Sequence, residues 1–248
     1  MARPTKSGPN DGSNAASTTT FSAAEVRRLR EAAGKASGIG DEGQDGWAKS
    51  DCDPMGILHA FPSLQIKPGF VMRAYVFRSG GNGNGVVWAM PDESEFPQPD
   101  DCPKLTNVFL EPPRPPEALD DLMEAVSGDD TALSYLSASI LQRELAEFGA
   151  RWHGCEWSTH EIVGSKPLHP ARSGPSGPAI KWTWQQPQPK DWKPQVIQSS
   201  GSIKVVFYTV SGLGGERIVK HTDSFKPGSY SFETEAIDVA SAPGGYVF

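Results

Sequence analysis

The amino-acid sequence predicts an α+β fold, in which a mainly antiparallel sheet built from hairpins is covered on one face by a helical hairpin. Segments rich in β-forming residues come in pairs joined by glycine-rich loops, which is typical of β-hairpins. Two amphipathic helical segments lie next to each other in the middle of the chain. Strands that precede and follow a helical pair are characteristic of α+β proteins.

The N-terminal residues 1–20 are rich in Ser, Thr, Asn, Gly and Pro and carry little apolar surface. Burial of such a segment gains too little to offset the entropy lost on ordering, so we predict a disordered arm. Ser22 is a good N-cap for a short helix over 23–33, whose apolar side contains Val26 and Leu29.

Two β-hairpins are predicted. The first joins residues 70–77 to 86–90, and the second joins 203–210 to 217–221. The loop of each is rich in glycine, which tolerates the positive φ that tight hairpin loops require. β-forming residues predict further strands at 105–110, 180–184, 196–197 and 230–237.

The helical hairpin occupies the centre of the chain. Its first helix is predicted from apolar residues at i, i+3, i+4 and i+7, which are Leu119, Leu122, Met123 and Val126. Its second helix covers 131–148, where apolar residues from Leu133 to Phe148 form one stripe.

The chain has 248 residues, which is enough for one large or two small domains. We predict a single domain over 21–248 with a Pro/Gly-rich connector at 164–178. No apolar run is long enough to span a bilayer, and the N-terminus lacks the apolar core of a secretory signal, so we expect a cytoplasmic protein without a membrane contact. The odd number of cysteines, three, excludes a fully paired disulfide framework.

Negative charge is concentrated in the helical hairpin. Residues 111–148 contain nine Asp or Glu and two Arg, which accounts for the whole net charge of -7. DNA binding requires Lys and Arg at the phosphates, so the charge argues against DNA binding through the helical pair. The glycine-rich loops lead into strands rather than helices, which argues against phosphate-binding loops. No cofactor is predicted.

The chemically richest stretch is 152–160, which reads WHGCEWSTH and directly follows the second helix. Its composition favours a strand that continues into Ile162 and Val163. Alternate side chains of a strand share a face, so His153 and Cys155 would point one way and His160 the other.

A metal or catalytic site is one interpretation of this stretch, with His153, Cys155 and His160 as candidates and Glu156 or His169 as additions. Zinc signatures place their ligands in close pairs, and this spacing does not reproduce them. Neighbouring carboxylates disfavour a thiolate at Cys155. The interpretation that we favour is therefore that the cysteine and the two tryptophans of the stretch pack in the core.

A second candidate is a ligand-binding surface at the basic, aromatic segment 181–193. Aromatic rings and cations there are suited to stacking on bases or sugars, and the candidates are Trp182, Trp184, Trp192 and Lys193. The alternative is a half-buried strand that packs its paired tryptophans against the helices, followed by a proline-rich loop.

Two functions remain from the sequence. The favoured one is a non-enzymatic binding or protein-interaction module, because no catalytic constellation is present and an acidic face accompanies a basic, Trp-rich loop. The partner of such a module is not defined by the sequence. The alternative is a metal-dependent or acid/base enzyme with its site around His153, Cys155 and His160.

Overall fold

The computed structural model describes residues 16–37, 45–171 and 179–247 and confirms the α+β fold. An antiparallel half-barrel sheet is combined with two smaller sheets and, within these ranges, three α-helices. The helices are α1 (Ala23–Ala36), α2 (Met55–His59) and α3 (Ala132–Ala146). The strands are β1 (Ser17–Thr20), β2 (Gly46–Lys49), β3 (Leu64–Ile66), β4 (Phe70–Ser79), β5 (Asn82–Pro91), β6 (Val126–Gly128), β7 (Glu161–Val163), β8 (Thr183–Trp184), β9 (Gln195–Gln198), β10 (Ile203–Ser211), β11 (Glu216–Phe225) and β12 (Phe232–Ala242).

The main sheet contains seven strands in the order β1-β9-β10-β11-β12-β8, with β7 as an additional partner of β10. All of its pairings are antiparallel. β9 pairs with the first half of β10 and β7 with the second half, so both strands use the same edge of β10. This arrangement brings the loop before β7 close to the middle of the main sheet.

The smaller sheets are β2-β4-β5 and β3-β6. Both predicted hairpins are confirmed, as β4–β5 and β10–β11. Gly80 and Gly81 turn the first hairpin with φ of 53° and 86°, which suits a tight two-residue loop. The other predicted strands, except 105–110, correspond to β8, β9 and β12.

α3 confirms the second predicted helix and packs with α1 in the main core. Ser22 caps α1 in a capping box with Glu25, as its position before the helix predicts. The prediction of a helix over 119–126 is wrong, because this segment forms one 3-10 turn at Leu122–Ala125 and then β6. The backbone from residue 126 onward pairs with β3 and is therefore not available to a helix.

Two further predictions of secondary structure are wrong. Residues 105–110 form turns rather than a strand, and the backbone of Asn107 and Leu110 is left-handed, with φ of 64° and 66°. Residues 17–20 of the predicted disordered arm form β1, which pairs with β9. Residues 1–15 of that arm and residues 172–178 of the predicted connector lie outside the described residues.

The predicted strand over 152–160 is also wrong. Two 3-10 turns, Trp152–Gly154 and Trp157–Thr159, occupy the stretch, and the strand begins only at Glu161. Trp157 is buried, but Trp152 is 63% exposed and does not pack in the core as expected. Because turns replace the strand, the alternation of side chains that separated the histidines does not apply here.

The two faces of the main sheet contribute to different cores. Residues of α1, α3 and one sheet face, including Phe207, form the larger core. The other face forms a smaller core around Trp182, Trp192, Tyr208 and Ile218. Within the described ranges, none of the helices has the length and hydropathy of a membrane span.

Candidate functional site

Buried polar side chains concentrate where β10, β11 and the loop before β7 meet. Those side chains belong to Thr159, His160, Thr209, Ser211, His221 and Asp223. Burial of a polar group costs free energy unless the group is hydrogen-bonded, so most cores avoid such a concentration. The cluster is therefore a candidate functional site.

The register of the main sheet places this cluster on one face. Alternate residues of a strand share a face, so Arg217, Val219, His221 and Asp223 of β11 point to the same side. Thr209 of β10 lies opposite Val219 and therefore diagonal to His221. The hairpin alone thus brings an arginine, a histidine, a threonine and an aspartate together.

A cavity of about 580 Å³ lies on this face of the sheet. α3, the loop before β7 and the strands β11 and β12 form its walls. The lining residues are Asn84, Arg143, Ala146, Glu147, Gly154, Glu156, Trp157, His160, Arg217, Val219, His221, Ala236 and Asp238. Two arginines and two histidines of the chain therefore share one cavity.

The two histidines are joined through a single hydroxyl group. Thr209 Oγ1 lies 2.8 Å from Nδ1 of His160 and 2.9 Å from Nε2 of His221. Aromatic rings hold both imidazoles in place, since His221 stacks on Phe207 and His160 stacks on Trp157. The second ring nitrogen of each histidine, Nε2 of His160 and Nδ1 of His221, has no hydrogen-bond partner among the described residues.

Both imidazoles are neutral at pH 7. Burial, followed by the charges of Arg217 and other arginines, lowers the pKa of His160 to about 4. Burial, followed by the charge of Arg143, lowers the pKa of His221 to about 2. A neutral imidazole has one donor and one acceptor nitrogen, so each ring can donate one hydrogen bond and accept another in this site.

Arg143 is committed to a buried ion pair beneath the cavity. Its two terminal nitrogens lie 2.6 and 2.9 Å from the two carboxylate oxygens of Asp223, which is fully buried. Ser139 and Thr234 donate further hydrogen bonds to that carboxylate. Two charges in such a bidentate, hydrogen-bonded arrangement compensate each other.

Arg30 of α1 is equally committed, and it anchors the loop before β7. It pairs with Glu144 of α3 at 2.9 Å and donates to the backbone carbonyls of Trp157 and His160. Trp157 Nε1 donates to the same carboxylate at 2.8 Å, and the Arg30 guanidinium lies 4.1 Å from the Trp157 ring centroid. These contacts determine where His160 lies.

Glu147, the residue that caps the C-terminal end of α3, also holds the same loop. Its carboxylate accepts hydrogen bonds from the backbone N–H groups of Glu156 and Ser158. Burial raises the pKa of Glu147 above its ordinary value. Gly154 also permits the fold of the loop, because a Cβ there would collide with the carbonyl oxygen of Gly83.

Arg217 differs from the other two arginines. Its Nε is buried and has no hydrogen-bond partner among the described residues. Among the described residues, its one ion pair is with Glu156, at a long 3.8 Å, and the Glu156 side chain is 78% exposed. Arg217 therefore retains donors for a ligand in the cavity that it lines.

The structure separates the three site residues that the sequence suggested. His160 lines the 580 Å³ cavity, whereas Cys155 and His153 line two other cavities. Among the described residues, no group of three or more His, Cys, Asp or Glu side chains could hold a metal ion. Glu156 lines the same cavity as His160, but His169 does not.

The tryptophan candidates lie on the other side of the main sheet. Trp182 and Trp192 are buried in the smaller core, and Trp182 Nε1 donates to the carbonyl of Pro167 at 2.7 Å. Trp184 is partly buried, with Lys166 Nζ 5.6 Å from its ring centroid. Lys193 is exposed.

Sequence reasoning did not identify Thr209, Arg217, His221 or Asp223. A signal was present for two of them, because Arg217 and His221 share one face of the strand predicted over 217–221, whereas Asp223 lies in the part of β11 beyond that prediction. Polar residues on the inward face of a strand indicate hydrogen-bonding or binding roles rather than packing.

Comparisons of the chain with protein-family models, with curated proteins and with solved structures found no match.

Proposed function

We propose that this protein binds a small anionic molecule in the 580 Å³ cavity, with Arg217 as the residue that contacts the anionic group. The observation that carries the proposal is that Arg217 lines the cavity with a side chain that is 32% exposed, while its nearest carboxylate oxygen among the described residues is 3.8 Å away. The terminal nitrogens of its guanidinium group therefore have donors for a ligand, and this group fits carboxylate and phosphate oxygens particularly well.

The comparison of the three arginines supports Arg217 as the ligand contact. Arg143 and Arg30 are each held by a carboxylate within 3 Å, so their charges are already compensated. Within the part of the chain that the structure describes, the carboxylate nearest to Arg217 is 3.8 Å away, on the exposed side chain of Glu156. Exposed pairs of this kind contribute at most about 1 kcal/mol, so a ligand can replace Glu156 at little cost.

The histidines provide the second set of contacts. His160 and His221 are neutral and line the cavity with one ring nitrogen each free of partners among the described residues. A ligand that carries hydroxyl or carbonyl groups next to its anionic group would find a donor and an acceptor there. The apolar walls at Ala146 and Val219 would contact its carbon atoms.

This proposal is a specific form of the binding function that the sequence favoured. The metal-dependent alternative has less support, because His153, Cys155 and His160 line three different cavities. That this protein interacts with a protein partner stays a prediction from the sequence.

Isothermal titration with phosphate, acetate, pyruvate and 2-oxoglutarate at low ionic strength tests the proposal. We expect at least one of these anions to bind with a stoichiometry of one. Arg217→Gln should weaken that binding about tenfold or more, since a charge-assisted hydrogen bond contributes about 1.5–3 kcal/mol.

Arg28→Gln is the matched control, because Arg28 is an exposed arginine of α1 that does not line the cavity. It removes the same charge from the chain and should leave the affinity unchanged. Equal losses of affinity in the two variants would indicate a non-specific charge effect and would contradict the proposal.

A further inference from the structure

The hydroxyl group between the two histidines has one proton, and this restricts the imidazoles that it joins. Thr209 Oγ1 can donate to only one of the two nitrogens, Nδ1 of His160 or Nε2 of His221, and must accept from the other. Because both imidazoles are neutral, each has one N–H. The imidazole that accepts the hydrogen bond from Thr209 therefore carries its own proton on its outer nitrogen, which is the ring nitrogen not bonded to Thr209. The other imidazole donates to Thr209 and has a lone pair on its outer nitrogen.

The outer nitrogens of the two histidines are thus opposite in kind. In one arrangement His160 Nε2 is a donor and His221 Nδ1 is an acceptor, and in the second arrangement the roles are exchanged. Movement of the protons through Thr209 converts one arrangement into the other without creating a charge. The two ring centroids lie 5.8 Å apart, so both rings are close enough to contact one small molecule.

We infer that His160, Thr209 and His221 form a bifunctional acid/base unit that moves a proton between two atoms of a bound small oxo acid. The inference rests on the proposed binding of an anion by Arg217, which would hold the carboxylate of the substrate. His160 and His221 are the catalytic residues, and Thr209 is a positioning residue that couples them.

The reaction that fits this unit is the keto–enol tautomerisation of a 2-oxo carboxylate. The acceptor nitrogen, for example His221 Nδ1, removes a proton from C3, and the electron pair of that C–H bond forms the C=C bond. The carbonyl π pair then takes the proton of His160 Nε2 and becomes the O–H bond of the enol. His221 Nε2 passes its proton to Thr209, and Thr209 passes its own to His160 Nδ1.

Protons and charge balance in this step. The substrate loses one proton from carbon and gains one on oxygen, and every residue of the unit remains neutral. The unit ends in its second arrangement, and exchange with water in the cavity or reversal of the step restores the first. No oxidant, reductant or metal ion takes part.

Two properties of the site favour this role over a purely structural one. Hydrophobic side chains would fill the same volume without the cost of burying three polar groups. In addition, both histidines line the cavity, and the second ring nitrogen of each has no partner among the described residues. Perturbed titratable groups that line a cavity are common at catalytic sites.

The test is the exchange of C3 protons of pyruvate, 2-oxobutanoate and 2-oxoglutarate for deuterium, followed by proton NMR in D₂O at pD 7. We expect the wild-type protein to accelerate exchange of at least one acid about 100-fold or more over buffer, as is typical of general acid/base catalysis. Thr209→Ser keeps the bridging hydroxyl and should retain the acceleration. Thr209→Val removes the hydroxyl at nearly the same volume and should lose it.

Two controls separate the outcomes. Thermal melts show whether each Thr209 variant is folded, and His153→Gln, which changes a histidine of another cavity, should exchange at the wild-type rate. Binding of the same acids is measured by titration. Binding without accelerated exchange, or full acceleration in Thr209→Val, would overturn the acid/base inference alone. If none of the three acids binds and phosphate does not bind either, the anion site is overturned as well.

Discussion

Both faces of the main sheet bury apolar side chains, but only one of them also buries a cluster of polar side chains among the described residues. On one face, Tyr208 and Ile218 pack with Trp182 and Trp192, and the ring centroids of Trp192 and Tyr208 lie 5.3 Å apart. On the other face, the residue next to Tyr208 is Thr209, which bridges two histidines. The same two strands thus provide a packed apolar core and a polar cavity.

This difference shows which features distinguish a site from a core. Both faces bury aromatic rings, and Trp182 and Trp192 lie in the smaller core. Only the cavity face combines compensated charges, such as Arg143 with Asp223, with a buried donor that lacks an acceptor among the described residues. An unsatisfied polar group is therefore a better indication of binding than a high density of unusual side chains.

The largest effect on stability is expected from Asp223→Ala on the polar face. It would leave the Arg143 guanidinium buried without its carboxylate, and loss of one partner of a buried pair costs about 3–5 kcal/mol. Urea denaturation measures the change. Asp238→Ala, at an exposed acidic residue of the same cavity, should change the unfolding free energy by less than about 0.5 kcal/mol. A loss below about 1 kcal/mol for Asp223→Ala would show that the pair is not a buried one.

Ile218→Ala tests the apolar face. Ile218 is fully buried in the smaller core, so its truncation should cost about 2–4 kcal/mol through lost burial and the cavity left behind. Anion binding, measured by titration, should not change, because Ile218 points away from the cavity that Arg217 lines. A parallel loss of affinity would indicate that the two faces are not independent.

Stability should depend on pH through the histidines of the polar face. Their pKa values are lowered in the folded protein, to about 4 for His160, whereas an unfolded histidine titrates near its ordinary value of 6.5. The unfolded chain therefore binds more protons below about pH 6.5, and the unfolding free energy should fall as the pH decreases from there towards 4. The limiting slope is about 1.4 kcal/mol per pH unit for each histidine.

Urea denaturation between pH 7.5 and 5, above the range where most carboxylates titrate, measures this slope. In the double variant His160→Gln, His221→Gln the slope in that range should be much smaller than in the wild type. An unchanged slope would show that other groups cause the pH dependence.

Local sequence predicted the elements whose structure depends on local interactions. The apolar stripe of residues 131–148 predicted α3, and the glycine-rich loops predicted the hairpins β4–β5 and β10–β11. The stretch 152–160 was predicted wrongly because distant residues determine its structure. Arg30 and Glu147 hold its backbone through hydrogen bonds that neighbouring residues do not encode.

The candidate site could be predicted only in part for the same reason. His160 was recognised as a candidate because it lies in a stretch rich in reactive side chains. Its partners Thr209 and His221 come from another part of the chain, and only the pairing of β7 with β10 brings them together. The depressed pKa values depend on burial and on surrounding arginines, which no local pattern describes.

Arg217 is proposed to bind an anion through its guanidinium group, and the NMR signal of its Nε–H group reports on that binding. The signal can be assigned by comparison with Arg217→Gln. On titration with phosphate, acetate, pyruvate and 2-oxoglutarate, we expect at least one anion to shift the signal until it saturates, because the guanidinium group forms charge-assisted hydrogen bonds, while the Arg28 signal stays in place. A signal of Arg217 that does not respond to any of the four anions would contradict the anion site.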